Sequence, residues 1–391
     1  MIIPPADRLQ ITQEYYFSVK LQEVARLRAE GRDILNIAIG NPDMPPSEAT
    51  IEAMARASRD PGNHGYQPYR GIPELRRAIG QWYHRIYGVG LDPDKEILPL
   101  IGSKEGITHI SLAFLNPGDK VLVPELGYPA YRAVSEMVGA GVIEYPLLED
   151  RQWQPDFEAL EAMDLNRVKI MWINFPHMPT GAPASRESFS RLVDFAARKS
   201  ILICHDNPYS LVLNEGAPLS LLSLPGAGAL ALELNSMSKS HNMAGWRIGW
   251  VAGAAGYLDQ VIKIKSNVDS GMFKAVQLAA IEAFNNTDEW HRERNERYRK
   301  RREWVYKILD LLHCSYSLDQ VGLFIWGKIS PETPSSEWLT EHLLQHYRIF
   351  VSPGFIFGPK GHRYIRISLC ENERLLEQAA LRLKNFSLHT S

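Results

Sequence analysis

Between about residues 95 and 285, short apolar runs rich in β-branched residues alternate with longer stretches of helical period, the pattern of a largely parallel sheet wrapped by helices. The strands predicted are Lys120 to Val123, Val168 to Asn174, Ile201 to His205, Ala229 to Leu234 and Ile248 to Ala252. Between them lie helical patterns such as Glu105 to Leu115, closed by Asn116-Pro117-Gly118, and Ser185 to Lys199. Past residue 285 the pattern changes to a long, highly charged helix, Thr287 to Leu312, read as a solvated face bridging two parts of the protein. Strands at Gly322 to Ile329 and Tyr364 to Leu369, with a terminal helix from Glu371 to Asn385, make a second, α+β unit. The first forty residues give a helix, Gln13 to Glu30, and an extended segment to Asp43, expected to pack with that unit. The expected division is a large domain over 45–285 and a small one over 1–44 plus 286–391.

Composition narrows the function classes. A chain of 391 residues, 45% hydrophobic and 23% charged, is long enough for one large core and a smaller one. Lysine plus arginine (43) nearly balances aspartate plus glutamate (45), so a net charge of −2 offers no field for nucleic acid or anionic lipid. Cys204, Cys314 and Cys370 are odd in number and widely spaced, which points to reduced, buried thiols and no metal site. The N-terminus lacks a basic stretch leading into an apolar one, and no run of about 18 apolar residues occurs. A cytoplasmic protein without membrane or nucleic-acid partners is expected.

In open α/β sheets ligands bind beyond the carboxyl ends of the strands, so residues just after strand ends are the site candidates. Lys239, in Ser236-Met237-Ser238-Lys239-Ser240 after an apolar run, suits an amine that must form an imine beside anion-binding groups. Alone, a lysine among serines is usually a surface residue; its partners decide. Asp206 ends a buried strand in His205-Asp206-Asn207-Pro208-Tyr209, where a carboxylate suits the protonated nitrogen of a pyridine ring and Tyr209 its phenolic oxygen. Gly102-Ser103-Lys104-Glu105-Gly106 opens a helix whose free N–H groups suit a phosphate, with Arg247 and Ser236 completing its hydrogen bonds. The bland alternative is an ordinary serine cap. Arg366, alternating with isoleucines on its strand, presents a planar fork suited to a carboxylate. The preceding loop Gly354 to Gly358 suits closure over a small substrate, and Tyr128, after a strand, suits stacking on a flat ring.

In this order and spacing the segments resemble the fold-type I, class I and II pyridoxal-phosphate aminotransferases from Gly40 to Arg366. The matching runs are Tyr66-x-Pro-x-x-Gly71, Gly102-Ser-Lys-Glu-Gly106, Tyr128-Pro-x-Tyr131, Pro179-Thr-Gly181, Asp206-x-x-Tyr209, Ser236-x-Ser-Lys239 with Arg247, and Arg366-x-Ser368. The resemblance implies an α/β fold with a mostly parallel, seven-stranded sheet between helices and a smaller α+β domain. It implies pyridoxal 5'-phosphate held covalently by Lys239, with Asp206 on the ring nitrogen, Tyr209 on the phenolic oxygen and Tyr128 on the ring face. Ser103, Lys104, Ser236, Ser238 and Arg247 would hold the phosphate, joined by Tyr66 of the neighbouring subunit, which implies a homodimer. Arg366 and the backbone of Gly40 would take the substrate carboxylate.

One position departs from the pattern: Met178 stands where the family has asparagine, so one hydrogen bond to the phenolic oxygen is lost, and His177 and Asn174 are the candidate replacements. The segment from Ser266 to Phe273 looks most like the branch holding LL-diaminopimelate, alanine and aspartate aminotransferases. Asp269 within it suits either a neutral or cationic donor or a helix cap. The competing readings are a β-lyase on the same fold and a non-catalytic ligand sensor, the latter disfavoured because no basic helix-turn-helix precedes Gly40.

Overall fold

The structure, a computed structural model, describes residues 2–10 and 14–388. Seven strands build the main sheet: β1 (Ile97–Ile101), β2 (Lys120–Pro124), β3 (Gly141–Tyr145), β4 (Val168–Asn174), β5 (Leu202–Asp206), β6 (Ala231–Ser236) and β7 (Ile248–Gly253). Their order is β1-β7-β6-β5-β4-β2-β3, with β7 antiparallel to both neighbours and every other pair parallel. The expected α/β class and seven-stranded sheet are present. Two strands escaped the sequence reading, and both lie at sheet edges. β1 carries Pro99, tolerated where one side of the strand is unpaired, and β3 begins with a glycine and is mostly half-exposed.

The helices that matter here are α1 (Tyr16–Ala29), α2 (Pro73–Tyr87), α3 (Ser103–Phe114), α4 (Pro129–Met137), α5 (Arg186–Lys199), α6 (Ala255–Lys265), α7 (Lys274–Ala283), α8 (Asp288–Leu311) and α9 (Glu373–Arg382). The predicted first-helix start, Gln13, lies outside the described residues. Ser185 caps α5 by accepting from Ser188 N, and Thr287 caps α8 by accepting from Trp290 N, so both predicted starts hold within a residue. β4 is buried except at Lys169, as a strand covered on both faces must be. Its alternate residues serve two cores. Ile170 and Trp172 face α3, α4 and α6, whereas Met171 and Ile173 join the core that includes α5 and the C-terminal unit.

That unit is a small antiparallel sheet of β8 (Ser315–Tyr316), β9 (Phe324–Lys328), β10 (Ser352–Pro353) and β11 (Tyr364–Ser368), in the order β8-β9-β11-β10. The N-terminal segment is tied to it. Leu35–Asn36 pairs in parallel with Ile349–Phe350, and Ser368 N donates to Ile37 O at 2.8 Å.

The reading of α8 as a solvated face is corrected. Arg294, Tyr298, Arg301, Val305 and Ile308 form an inward stripe at alternating four- and three-residue steps, and all are buried. Arg301 holds Asp43 through two hydrogen bonds of 2.7 and 2.9 Å and Leu369 O through one of 3.1 Å, while Arg294 donates to Ser240 O and Leu211 O. The bridging role stands, but these arginines perform it from inside, because a guanidinium satisfies buried carbonyls that a shorter side chain does not reach. Among the described residues no helix is long and apolar enough to cross a membrane.

Candidate active site

Beyond the carboxyl ends of β4, β5 and β6 lies a cavity of about 500 Å³, walled by both sheets and the start of α1. It gathers Gly40, Ser103, Lys104, Tyr128, Asp206, Tyr209, Ser236, Ser238, Lys239, Arg247 and Arg366. Tyr66 is not among them; its side chain stands 91% exposed on the surface.

Lys239 reaches the cavity from a single helical turn, Met237–Ser240, that follows β6 directly. Ser236 caps the turn, its Oγ accepting from Ser238 N at 3.1 Å, so the chain reverses as soon as the strand ends. The lysine ammonium donates to Gly40 O. Burial lowers its pKa, opposed by Cys370 and helped by the charges of Arg366 and Arg247. An amine so placed sheds its proton more readily and becomes the better nucleophile.

Asp206 closes β5. Its Oδ2 accepts from the Tyr131 hydroxyl at 2.8 Å, whereas its buried Oδ1 accepts no hydrogen bond among the described residues. Burial pushes this carboxyl up to about 6, against the pull of Tyr131 and of the neighbouring His205. Tyr131 lies flat on Trp172 at 5.1 Å and 4°, which fixes its hydroxyl. Burial raises the phenols of Tyr128 and Tyr209, so both are neutral donors. From β4, Asn174 Nδ2 donates to Asp206 O at 2.7 Å and its Oδ1 accepts from Met178 N at 2.8 Å. His177 spans Thr180 Oγ1 (2.8 Å) and Leu126 O (3.0 Å), and burial lowers it to about 4. Both candidate replacements for the missing asparagine are thus committed to backbone and loop.

At the other end, α3 begins at Gly102, whose φ of 80° lies in the left-handed region. A Cβ on Gly102 would stand 2.0 Å from Arg247 Nη2, and one on Gly249 would stand 2.4 Å from Ser103 N. These two glycines let the guanidinium and the open N–H groups of the helix start converge. Arg247 itself holds φ at 56°, and its Nη1 donates to Ala244 O at 2.9 Å. Ser236 Oγ lies 2.9 Å from both Ser238 Oγ and Ile248 O. A buried acceptor at one end, an anion cradle at the other and a lysine amine between them fit a pyridine ring bearing a phosphate ester.

Arg366, on β11, is only 4% exposed. Its guanidinium lies 3.8 Å from the Phe324 ring centre and 4.6 Å from that of Phe357. Nη1 lies 3.1 Å from Met178 Sδ, Nη2 donates to Ala38 O at 3.1 Å, and Nε has no partner among the described residues. Burial lowers it to about 10, so it remains a cation at neutral pH. Gly354–Phe357, within the segment read from sequence as suited to closing over a substrate, is a short 3-10 turn whose Phe357 O accepts from Gly127 N at 2.8 Å.

Sequence reasoning missed the wall formed by Tyr15, Phe17 and Leu21, since nothing in the pattern of α1 distinguishes it from a packing helix. Lys104 Nζ lies over Tyr15 and Tyr128, at 5.1 and 5.8 Å. Asp269 accepts from Lys265 at 2.7 Å and from Gly271 N at 2.8 Å, which ties it to the turn between α6 and α7 and makes it a cap of neither helix.

Comparison with known proteins agrees with this geometry. Residues 32–383 match the family model of aminotransferase class I and II. A LL-diaminopimelate aminotransferase of Dehalococcoides mccartyi is 39% identical over 382 residues, covering 97% of this chain and 98% of its own. Among solved structures, BacF of Bacillus subtilis superposes with a TM-score of 0.94 at 33% identity, covering 98% of both chains. A Thermus thermophilus aspartate aminotransferase mutant superposes at 0.91 with 26% identity, covering 98% of this chain and 99% of its own.

Proposed function

The chain belongs to the class I and II aminotransferases, pyridoxal-phosphate enzymes that move an amino group from an amino acid to a 2-oxo acid by a ping-pong mechanism, and we propose that its donor carries a distal acid group. The observation that carries this is the pairing of two cations in one cavity: Arg366 deep among phenylalanines, and Lys104 nearer the mouth over Tyr15 and Tyr128. Arg366 takes the α-carboxylate and Lys104 the distal one. LL-diaminopimelate, the donor in the name of the relative at 39% identity, is the first candidate. An apolar or aromatic donor is the second reading, favoured by Tyr15, Phe17, Leu21 and Phe324 in the cavity wall.

Pyridoxal phosphate, when bound, supplies the electron sink that makes the substrate Cα proton removable. The chain's residues do the rest. Asp206 Oδ1, unpaired and buried, holds the proton on the ring nitrogen, with Tyr131 orienting the carboxylate. Tyr209 would donate to the phenolic oxygen and Tyr128 would cover the ring. Ser103 and Lys104 N–H groups, Ser236, Ser238 and Arg247 hold the phosphate. Lys239 Nζ would anchor the cofactor and, as the nearby amine, would take the proton from the substrate Cα and return one. The aromatic walls around Arg366 exclude water while this occurs.

In the same reading the chain divides into domains at 45–285 and at 1–44 plus 286–391, works in the cytoplasm, and pairs as a homodimer in which Tyr66 reaches the partner's phosphate. The exposure of Tyr66, Tyr69, Val268 and Phe273 supports the dimer. Mixing the yellow holoenzyme with single amino acids and following loss of its visible absorbance ranks the donors. LL-diaminopimelate ahead of glutamate, alanine and phenylalanine is the expected order; phenylalanine or alanine first would sink the distal-acid reading.

A further inference from the structure

Next to Asp206, on the opposite face of β5, sits a fully buried pair that the chemistry above does not use. His205 and Glu233 face each other in register across β5 and β6, neither exposed at all. Glu233 Oε1 accepts from the Tyr83 hydroxyl at 3.0 Å. Its Oε2 accepts from the Ser220 hydroxyl at 2.8 Å and from Leu221 N at 3.0 Å, and lies 2.9 Å from His205 Nδ1. The second imidazole nitrogen, Nε2, lies 2.8 Å from Phe175 O.

A carbonyl oxygen only accepts, so Nε2 carries a hydrogen. Nδ1 meets a carboxylate that three other donors already supply, the environment of an anion rather than of a protonated acid. Both ring nitrogens therefore donate, and the imidazole is a cation paired with the Glu233 carboxylate. Tyr83 and Tyr87 are the other titratable groups beside Glu233, and burial keeps both neutral. Phe189 closes the remaining side of the ring, edge-on at 5.0 Å. Around Asp206 the titratable neighbours are Tyr131 from α4, Tyr128 and Tyr209, all neutral, together with His205.

We propose that His205, held as an imidazolium between Glu233 and the Phe175 carbonyl, is a positioning residue that keeps Asp206 ionised and locks the ends of β4, β5 and β6 together. It rests on Asp206 as the partner of the ring nitrogen. The electrostatic part works against burial, which drives the Asp206 carboxyl towards its neutral form. The mechanical part follows from the path of the chain. Phe175 opens the loop that carries Met178 to Arg366, Asp206 ends β5, and β6 runs through Glu233 into the turn bearing Lys239.

Two measurements test this. In wild-type apoenzyme labelled with ¹⁵N-histidine, long-range ¹H–¹⁵N correlation should place both nitrogens of His205 at imidazolium positions at neutral pH, with His205→Gln assigning the signal. A neutral tautomer there overturns the proposal. Cofactor affinity is then followed against pH. It falls on acidification as Asp206 takes a proton, and in Glu233→Gln and His205→Gln that fall should begin roughly one pH unit higher, about a tenfold loss at the old midpoint. Tyr145→Phe, which removes a buried hydrogen bond to Trp172 O in the same sheet and no charge, should lower the melting temperature and leave the midpoint in place. An unmoved midpoint in a folded Glu233→Gln protein overturns the proposal. If Asp206→Asn retains the wild-type pH dependence, it is the assignment of Asp206 that fails.

Discussion

Replacing Tyr131 by Phe removes one hydroxyl and leaves the ring stacked on Trp172. That hydroxyl donates to Asp206 Oδ2 at 2.8 Å between two buried side chains. A buried hydrogen bond to a charged acceptor contributes about 1.5–3 kcal/mol, which corresponds to roughly one to two pK units on the carboxyl. Asp206 stands at about 6 with the hydroxyl in place. Without it the carboxyl should titrate at about 7–8 by that arithmetic, and the variant would be half protonated near neutrality. Pyridoxal phosphate affinity, measured by fluorescence quenching, should therefore fall about two- to tenfold at pH 7 and recover to near the wild-type value by about pH 9. The apoenzyme gives the opposite slope. An acid whose folded pKa lies above its ordinary 3.8 opposes folding once ionised. The penalty is absent below about 4, complete above about 6, and worth about 3 kcal/mol for a shift of roughly two units. Wild-type apoenzyme should lose that much stability between about pH 4 and 6, and in Tyr131→Phe the loss should begin at the same pH, continue to about 7–8 and be larger. Equal cofactor affinity in the two proteins at pH 7, or a deficit that persists unchanged at pH 9, would refute the argument.

Three further outcomes are expected. Lys239→Ala should lose both turnover and the visible absorbance of the bound cofactor, and turnover near the wild-type rate would end the assignment of that lysine. Gly102→Ala places a Cβ 2.0 Å from Arg247 Nη2 on a backbone at φ 80°, so it should cost about 1–2 kcal/mol of stability and weaken cofactor binding at least tenfold, read by thermal melts with and without cofactor. Met178→Asn restores an amide donor where a thioether now lies against Arg366, and should lower the pH at which the yellow form of the holoenzyme titrates; equal midpoints in a spectroscopic titration refute it.

The parts legible in the sequence share one property: each is announced by its own neighbours. Lys239, Asp206 and Arg366 sit at strand ends or on alternating strands, and the glycines around Ser103 mark a helix start. What stayed hidden depends on partners far along the chain. Tyr131 meets Asp206 across 75 residues, and Met178 meets Arg366 across 188. Charge misled at α8, where a run of arginines signals solvent while two of them face inward to carbonyls and Asp43. Pro99 masked β1, because the residue that argues against a strand is admissible at an edge. The tie on the loop from Gly354 was hidden because its partner, Gly127, belongs to another element.

The wall formed by Tyr15, Phe17 and Leu21 has an evolutionary consequence. These residues lie outside the stretch from Ile97 to Gly253 that builds the main sheet and its phosphate and lysine turns. If the cavity wall selects the donor, that choice is partly written in about two N-terminal turns, and the lysine and phosphate turns are written elsewhere. On that condition a lineage could rewrite those turns, and so trade one metabolite for another, while inheriting its chemistry unchanged.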